Sequence, residues 1–320
     1  MGRVVLVTGV SRYLGARVAE QLSEDPGVDR VVAIDSAAVP RPLGAAEFTR
    51  VRLYDDSISA ALRDSDADTV VHLGFAEAPR GRGKRRRTPS GGNALGTMQL
   101  LSACQRSEAA QRLVVRSSAA VYGSPDPGAP CTEEIGSREV PRSAYAQDAA
   151  EVERYTRALS RRRPDLSVAV LRFASFIGPA VETPLTRYFG LRVVPTVRGY
   201  DPRMQFIHPD DGVEAVRRMA LGGDGEGALD GVFNVAAPGS LPLSHCLRRV
   251  GGRRFAVPER GLRMLRGIAR RTELDYSPEQ LRLLCCDRVL DYGKLERTLG
   301  WSPSYTSQEA FESYLAAAAA

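Results

Sequence analysis

The stretch "RVVLVTGVSRYLGARVAEQL" (residues 3–22) passes from a strand pattern through a glycine turn into a helix pattern. It begins as a short β-branched run, and Leu14, Val18 and Leu22 then recur at the spacing of one helix face. Further continuous apolar runs of strand length, the later ones separated by helical patterns, occupy residues 30–35, 68–74, 112–118 and 167–173. Apolar strands that alternate with helices predict an α/β fold, with a doubly wound parallel sheet covered by helices on both faces.

The segment "TGVSRYLG" (residues 8–15) has the context that a dinucleotide-binding turn requires, because it follows the first strand and opens the first helix. Gly9 permits the tight turn, Gly15 permits close packing, and the N–H groups at the helix start can bind a pyrophosphate. Asp35 closes the second strand, where an acidic residue binds the ribose hydroxyls of NAD. The sequence therefore predicts a Rossmann-type fold that binds NAD.

The composition is that of a soluble globular protein, with 43% hydrophobic and 26% charged residues in a chain of 320. No apolar run reaches the ~18 residues of a membrane span, and the N-terminus lacks a signal-peptide pattern. We therefore expect a cytoplasmic protein with no membrane partner.

Five cysteines without a C-x-x-C pair and three scattered histidines predict neither a disulfide framework nor a metal site.

The net charge of +6 comes from one segment, "RGRGKRRR" (residues 80–87). Without its six basic residues, the 44 basic side chains fall to 38 and match the 38 acidic ones. We interpret the segment first as a solvated loop, and next as a lid that attracts an anionic substrate. A nucleic-acid contact is the least favoured alternative, so we expect no nucleic-acid partner.

A series of motifs runs in a fixed order over nearly the whole chain: "TGVSRYLG", "VVHLGFA", "NALGTMQLL", "RSSAAVYG", "LRFASFIGP", "QFIHPDD" and "LGWSP". They resemble T-G-x-x-G-x-x-G, V-x-H-L-A-A, N-x-x-G-T-x-x-L-L, S-S-x-x-V-Y-G, L-R-x-x-N-V-x-G-P, D-F-I-H-V-D-D and L-G-W-x-P. These are motifs of the extended short-chain dehydrogenase/reductase family, the branch that holds nucleotide-sugar epimerases and dehydratases. The chain is identified by them as similar to that family.

The resemblance implies that Ser118 polarises a substrate oxygen and that Tyr145 exchanges its proton, with Asn93 as a further catalytic residue. Residues that match cofactor-binding positions of the family are Gly9, Arg12, Tyr13, Leu14, Gly15, Asp35, Leu73 and Gly74, and those that bear on the substrate are Ser175 and Arg203. Structural alternatives stay open for the catalytic set. Tyr145 fits a half-buried helix residue, Ser118 a hydroxyl bonded to backbone, and Asn93 a helix N-cap.

The largest departure from the family pattern is Ala149, which stands where the family has a lysine one turn after the tyrosine. Residues four apart share a helix face, so the family's lysine lies next to Tyr145 and lowers its pKa, whereas alanine carries no charge. A phenol with the ordinary pKa of ~10 is a poor base at neutral pH and a better acid. The departure therefore favours reactions in which Tyr145 donates a proton.

Other departures affect the cofactor and the substrate. Arg12 replaces the middle glycine of the turn. In the branch of the superfamily with shorter chains, a basic residue at this position is typical of proteins that use NADP. Asp35 opposes a 2′-phosphate, so NAD is favoured and NADP stays open. Ser175 replaces the family's asparagine. Met204 stands at the position of a family arginine, and Arg203 lies one residue before that position.

We expect residues 1–178, joined by about 205–240, to form the dinucleotide-binding domain, and residues 179–204 and 241–320 to form a smaller, irregular substrate-binding region. The predicted function is that of an NAD(P)-dependent oxidoreductase similar to nucleotide-sugar epimerases and dehydratases. One alternative is an NAD(P)H-dependent ketoreductase for a non-sugar carbonyl, with Tyr145 or the substrate itself as proton donor. Another is a nucleotide-binding protein without turnover. The resemblance also implies a small-molecule substrate and a homodimer.

Overall fold

The protein is described by a computed structural model that covers residues 2–52, 56–75, 92–125, 128–134, 143–222, 229–258 and 286–319. The basic segment 80–87 lies outside these described residues. The strands are β1 (Arg3–Thr8), β2 (Val28–Asp35), β3 (Glu47–Arg50), β4 (Thr69–His72), β5 (Arg112–Ser118), β6 (Ser167–Phe173), β7 (Ser175–Phe176), β8 (Val193–Val197), β9 (Arg203–Met204), β10 (Phe206–Ile207), β11 (Gly231–Val235), β12 (Leu241–Pro242) and β13 (Arg253–Val257).

The helices come in the same chain order as the predicted helical patterns. They are α1 (Tyr13–Ser23), α2 (Ser57–Ser65), α3 (Gly92–Arg106), α4 (Ala144–Arg162), α5 (Pro184–Phe189), α6 (Pro209–Leu221), α7 (Leu243–Val250), α8 (Gly293–Leu299) and α9 (Ser307–Ala319). A short 3₁₀ helix, Ala119–Tyr122, follows β5. Among the described helices, none is long and apolar enough to cross a membrane.

The central sheet has seven parallel strands in the order β11-β6-β5-β4-β1-β2-β3. The chain fills one half of the sheet from β1 to β3 and then returns to fill the other half, starting with β4 beside β1. In open parallel sheets a ligand binds outside the carboxyl ends of the strands at this reversal of direction. The topology therefore locates the candidate site at the carboxyl ends of β1, β4 and β5.

Two groups of helices cover the sheet. Helices α2, α3 and α4 pack side by side, and α1 packs against α6. The apolar face predicted for α1 is buried, since Leu14, Val18 and Leu22 are at most 6% exposed. These features confirm the predicted doubly wound parallel sheet.

Two strands of the central sheet were not predicted. Strand β3 reads "EFTR" and is exposed along its length, so it has no apolar run to reveal it. Strand β11 reads "GVFNV" and joins the sheet beside β6, far along the chain from the other strands. Both depend on pairing with a neighbouring strand, which local sequence patterns do not show.

A second, smaller apolar cluster lies outside the main core. It is formed mainly by side chains from α5, β8, β10, α7 and α9, among them Tyr188, Phe189, Phe206, Leu247 and Phe311. Three small sheets accompany it, pairing β10 with β7, β12 with β9, and β13 with β8. The division into a dinucleotide-binding domain and a smaller substrate-binding region stays a prediction.

Candidate dinucleotide and substrate site

The phosphate turn requires glycine at two positions. Gly9 has φ +81°, and a Cβ there would lie 2.5 Å from the backbone nitrogen of Gly74. A Cβ on Gly15 would overlap the carbonyl oxygen of Gly9. The turn is fixed to the end of β4 because the Leu73 N–H donates to the Thr8 carbonyl at 3.2 Å. Larger side chains would therefore separate β1, α1 and β4.

Arg12 fits the turn without backbone strain. It is the N-cap of α1, with φ −108° and ψ 158°, which any residue can adopt. A guanidinium contains no acceptor, so its side chain cannot cap the N–H groups of the first helical turn. Those N–H groups, together with the helix dipole, suit an anion such as a pyrophosphate. The residues of the turn thus fit the dinucleotide that the sequence predicts.

Asp35 connects the end of β2 to the turn. Its carboxylate accepts hydrogen bonds from the N–H groups of Ser11, at 2.9 Å on Oδ2, and Ala37, at 3.0 Å on Oδ1. Because each carboxylate oxygen has two lone pairs, each can accept one further bond. The remaining acceptor sites match the two hydroxyls of a ribose. Asp35 is nevertheless only 6% exposed, so it also has a structural role in holding the turn.

Tyr13 begins α1 and faces the start of α6. Burial raises its pKa, and the nearby negative charge of Asp210 raises it further. The guanidinium carbon of Arg41 lies 5.0 Å from the centre of the Tyr13 ring. Leu14, the next residue, is buried in the core. Tyr13 and Leu14 therefore anchor the turn, while Arg12 and Arg41 add positive charge near it.

His72 ties three elements together below the turn. One ring nitrogen lies 2.7 Å from the Thr8 hydroxyl and the other lies 2.8 Å from the Thr97 hydroxyl. Burial lowers the pKa of His72 to about 4, so the ring is neutral at neutral pH. This position thus joins β1, β4 and α3 without adding charge.

The predicted catalytic residues Ser118 and Tyr145 lie at the same edge of the sheet. Ser118 ends β5, and its Oγ accepts the Ala120 N–H at 3.2 Å. Tyr145 lies in the first turn of α4, and its ring centre is 4.9 Å from that of Phe75, which follows β4. Helix α4 packs against the 3₁₀ helix that begins after Ser118. Both hydroxyl-bearing residues therefore lie at the edge of the sheet where the topology locates the candidate site.

Ala149, at the position of the family's lysine, is completely buried. Its side chain has no exposed surface and belongs to the main apolar core. Helix α4 therefore packs tightly at this point. The positive charge that the family supplies there is replaced by an apolar contact.

The remaining predicted site residues lie on three separate elements. Asn93 is the second residue of α3, which begins at Gly92. It therefore lies within the first helical turn and not at the N-cap position considered from the sequence. Ser175 is exposed on β7 and pairs with Phe206 of β10. Arg203 is exposed on β9, where its Nε donates to the Ser240 hydroxyl at 2.9 Å. Ser175 and Arg203 thus lie on neighbouring small sheets.

A buried ionic network close to the predicted catalytic residues was not predicted. Arg172 donates to both carboxylate oxygens of Glu153, at 2.9 and 2.7 Å, and to the Tyr122 hydroxyl at 2.9 Å. Ser117 donates to Glu153 at 2.6 Å, and Tyr122 donates to Asn234 at 2.7 Å. Burial raises the pKa of Tyr122 to about 12, so it stays protonated. The network fixes α4 against the ends of β5 and β6.

A sequence signal for this network existed. Glu153 follows Tyr145 by two helical turns and Ala149 by one, so the three share a helix face directed at the sheet. A carboxylate on a buried face needs a partner of opposite charge. Arg172, inside an otherwise apolar strand, was one such candidate.

Comparison with known proteins agrees with this geometry. The sequence model described as the NAD dependent epimerase/dehydratase family matches residues 5–236. An uncharacterized protein of Mycobacterium tuberculosis is 38% identical over 319 residues, covering 98% of this chain and 83% of that protein. The chain belongs to the NAD dependent epimerase/dehydratase family.

Solved structures show the same fold. UDP-glucuronic acid 4-epimerase from Bacillus cereus, in complex with NAD, superposes with a TM-score of 0.73 at 18% identity, over 98% of each chain. UDP-glucose 4-epimerase from Thermus thermophilus, also in complex with NAD, gives a TM-score of 0.75 at 22% identity, again over 98% of each chain. The architecture therefore extends to nearly the full length of these proteins.

Proposed function

We propose that the protein is an NAD-dependent oxidoreductase that acts on a nucleotide-linked sugar, with chemistry of the epimerase or dehydratase type. The observation that carries the proposal is the phosphate turn, closed by Gly9 and Asp35, at the same sheet edge as Ser118 and Tyr145. The UDP-sugar epimerases that share its fold over nearly the full chain length support this substrate class.

The residues have distinct roles in this proposal. The N–H groups at the start of α1 bind the pyrophosphate, and Asp35 accepts hydrogen bonds from the adenosine ribose. Nicotinamide, when bound, supplies the hydride acceptor and donor. Ser118 donates a hydrogen bond to the reacting sugar oxygen, and Tyr145 exchanges a proton with it. The network of Glu153 and Arg172 keeps α4, and thus Tyr145, at a fixed distance from β5.

NAD is the proposed cofactor because Asp35 accepts ribose hydroxyls and its negative charge opposes a 2′-phosphate. NADP is the alternative, favoured by Arg12 and by the guanidinium of Arg41 beside Tyr13. The charges of Asp35, Arg12 and Arg41 set the relative affinities of the protein for NAD and NADP. Titration of the protein with each cofactor therefore distinguishes the two alternatives.

A ketoreductase for a non-sugar carbonyl is the second candidate, and the burial of Ala149 favours it. Epimerisation and dehydration begin by removing a hydroxyl proton, the step that most needs an activated base. Reduction of a carbonyl asks Tyr145 only to donate a proton. Replacing the lysine by alanine therefore costs less activity in carbonyl reduction than in epimerisation or dehydration.

One experiment separates the candidates. The purified protein is denatured, the released nucleotide is identified, and the native protein is incubated with UDP-glucose and UDP-glucuronic acid while the sugars are followed by NMR. Bound NAD together with a changed sugar is the expected result. An empty site with NADPH-dependent reduction of a ketone would favour the reductase, and nucleotide binding without conversion of either substrate class would favour a protein without turnover.

A further inference from the structure

Arg116 is a buried arginine near the carboxyl end of β5, in a run that otherwise reads as an apolar strand. It is 8% exposed. Its Nη1 donates to the carbonyl oxygen of Phe75 at 3.2 Å, and its guanidinium carbon lies 5.5 Å from the centre of the Phe176 ring. The guanidinium is thus held between the loop that follows β4 and strand β7.

The contacts of Arg116 are adjacent to three predicted site residues. Phe75, which accepts its hydrogen bond, packs its ring against Tyr145. Ser118 lies two residues further along β5, so the two side chains leave the same side of the strand. Phe176 directly follows Ser175. The guanidinium therefore lies among the segments that carry the proposed reaction centre.

A cation in this position acts strongly on its neighbours. An arginine stays protonated at every pH that the fold survives. Its field is weakened little by solvent, because the side chain is buried and the local dielectric constant is low. Ala149 provides no charge on the opposite side, in α4.

We propose that Arg116 is a positioning residue that adds a fixed positive charge at the reaction centre and favours the ionised form of Tyr145. The link to Tyr145 runs through Phe75, whose carbonyl accepts the Arg116 hydrogen bond and whose ring packs on Tyr145, whereas in the family pattern the charge comes from helix α4. The inference deepens the proposed function and rests on its assignment of Tyr145, but it can be tested without a substrate or a nucleotide.

Other charged groups act on the same region and must be accounted for. On α4, Asp148 follows Tyr145 by three residues, and Glu153 is neutralised by Arg172. His72 is neutral at neutral pH.

Two further elements add titratable groups. The 3₁₀ helix carries Tyr122, which ionises only near pH 12. The start of α6 carries His208, Asp210 and Asp211. All these groups are unchanged in a protein altered only at Arg116, so a difference between parent and variant isolates its contribution.

The test is an ultraviolet titration of phenol ionisation. The difference between the parent and Tyr145→Phe gives the ionisation of Tyr145 alone among the 11 tyrosines. The same difference is measured for Arg116→Met and its double variant with Tyr145→Phe. We expect the ionisation midpoint of Tyr145 to rise by roughly one pH unit when Arg116 is replaced by methionine, the low end of the effect of a nearby opposite charge. Arg116→Lys, which keeps the charge, should restore most of the shift.

Arg112→Met is the matched control, because Arg112 begins the same strand, is half-buried and donates to the Ala220 carbonyl at 3.1 Å, away from Tyr145. It should leave the midpoint unchanged. Arg116→Gln provides a second uncharged variant if methionine prevents folding. An unchanged midpoint in a folded, uncharged variant, or an equal shift in Arg112→Met, would overturn the proposal. Failure of the sugar assays with the shift present would instead count against the proposed function alone.

Discussion

The proposed nucleotide half of the molecule, β1 to β2, and the proposed reaction half, β5 with α4, depart from the family pattern to different degrees. In the first half Gly9, Gly15 and Asp35 occupy their expected places and make contacts that require them. In the second half the lysine position is an apolar core position, Ala149. From this comparison we infer that the cofactor turn depends on backbone geometry, which few residues permit, whereas the proposed reaction centre depends on a charge that another element can supply.

The most damaging substitution should be Ala149→Lys. The position has no exposed surface, so the ammonium group would lose its hydration in the apolar core on which α4 packs. A buried lysine whose pKa falls by about three units costs roughly 4 kcal/mol of stability at neutral pH. Urea unfolding should show this loss, while Ala150→Lys at the neighbouring, partly exposed position should be nearly neutral. A stable Ala149→Lys protein with faster alcohol oxidation would show that the pocket admits the family's lysine.

Tyr145→Phe tests the reaction half directly. Loss of a proton-exchanging group should lower kcat by ~10²-fold or more, while the affinity for NAD changes little. Steady-state kinetics and calorimetric titration of NAD measure the two effects. Full activity in Tyr145→Phe would make the residue a structural one and would assign the proton to the substrate or to water at Ser118.

Gly9→Ala tests the nucleotide half. The left-handed φ of +81° and the predicted contact with Gly74 together should cost about 2 kcal/mol or more, measured as lower stability or weaker NAD binding. Gly239 is the matched control, because it has φ +77° but no atom within 4 Å of a Cβ. Gly239→Ala should show only the backbone part of the cost. Equal effects at the two positions would mean that close packing against β4 is unimportant.

Asp35→Ala should have the smallest effect. We expect NAD affinity to fall ~10-fold, which corresponds to the loss of about one hydrogen bond to a charged group. NADPH affinity should fall less, because Arg12 remains. Asp35→Asn separates the charge from the acceptor that holds the Ser11 N–H. Tighter binding of NADPH than of NAD by the parent protein would show that the proposed cofactor is wrong.

The sequence predicted the fold better than the site. The pattern of β1 and α1 was readable because burial dictates both the apolar run and the spacing of Leu14, Val18 and Leu22. The full burial of Ala149 was not readable, since helical spacing shows which residues share a face but not how closely that face packs. Arg116 was missed for a related reason. It interrupts an apolar strand, and only the fold shows that its contacts are adjacent to Tyr145 and Ser175.

The measurement that tests the central claim most directly is hydride transfer to the cofactor. Protein loaded with NAD is mixed rapidly with UDP-glucose or UDP-glucuronic acid, and the near-ultraviolet absorbance of reduced nicotinamide is followed in the parent and in Tyr145→Phe. The account predicts a transient rise in the parent that is slowed ~10²-fold or more in the variant. Saturable binding of these sugars with no reduction of nicotinamide in the parent would contradict it.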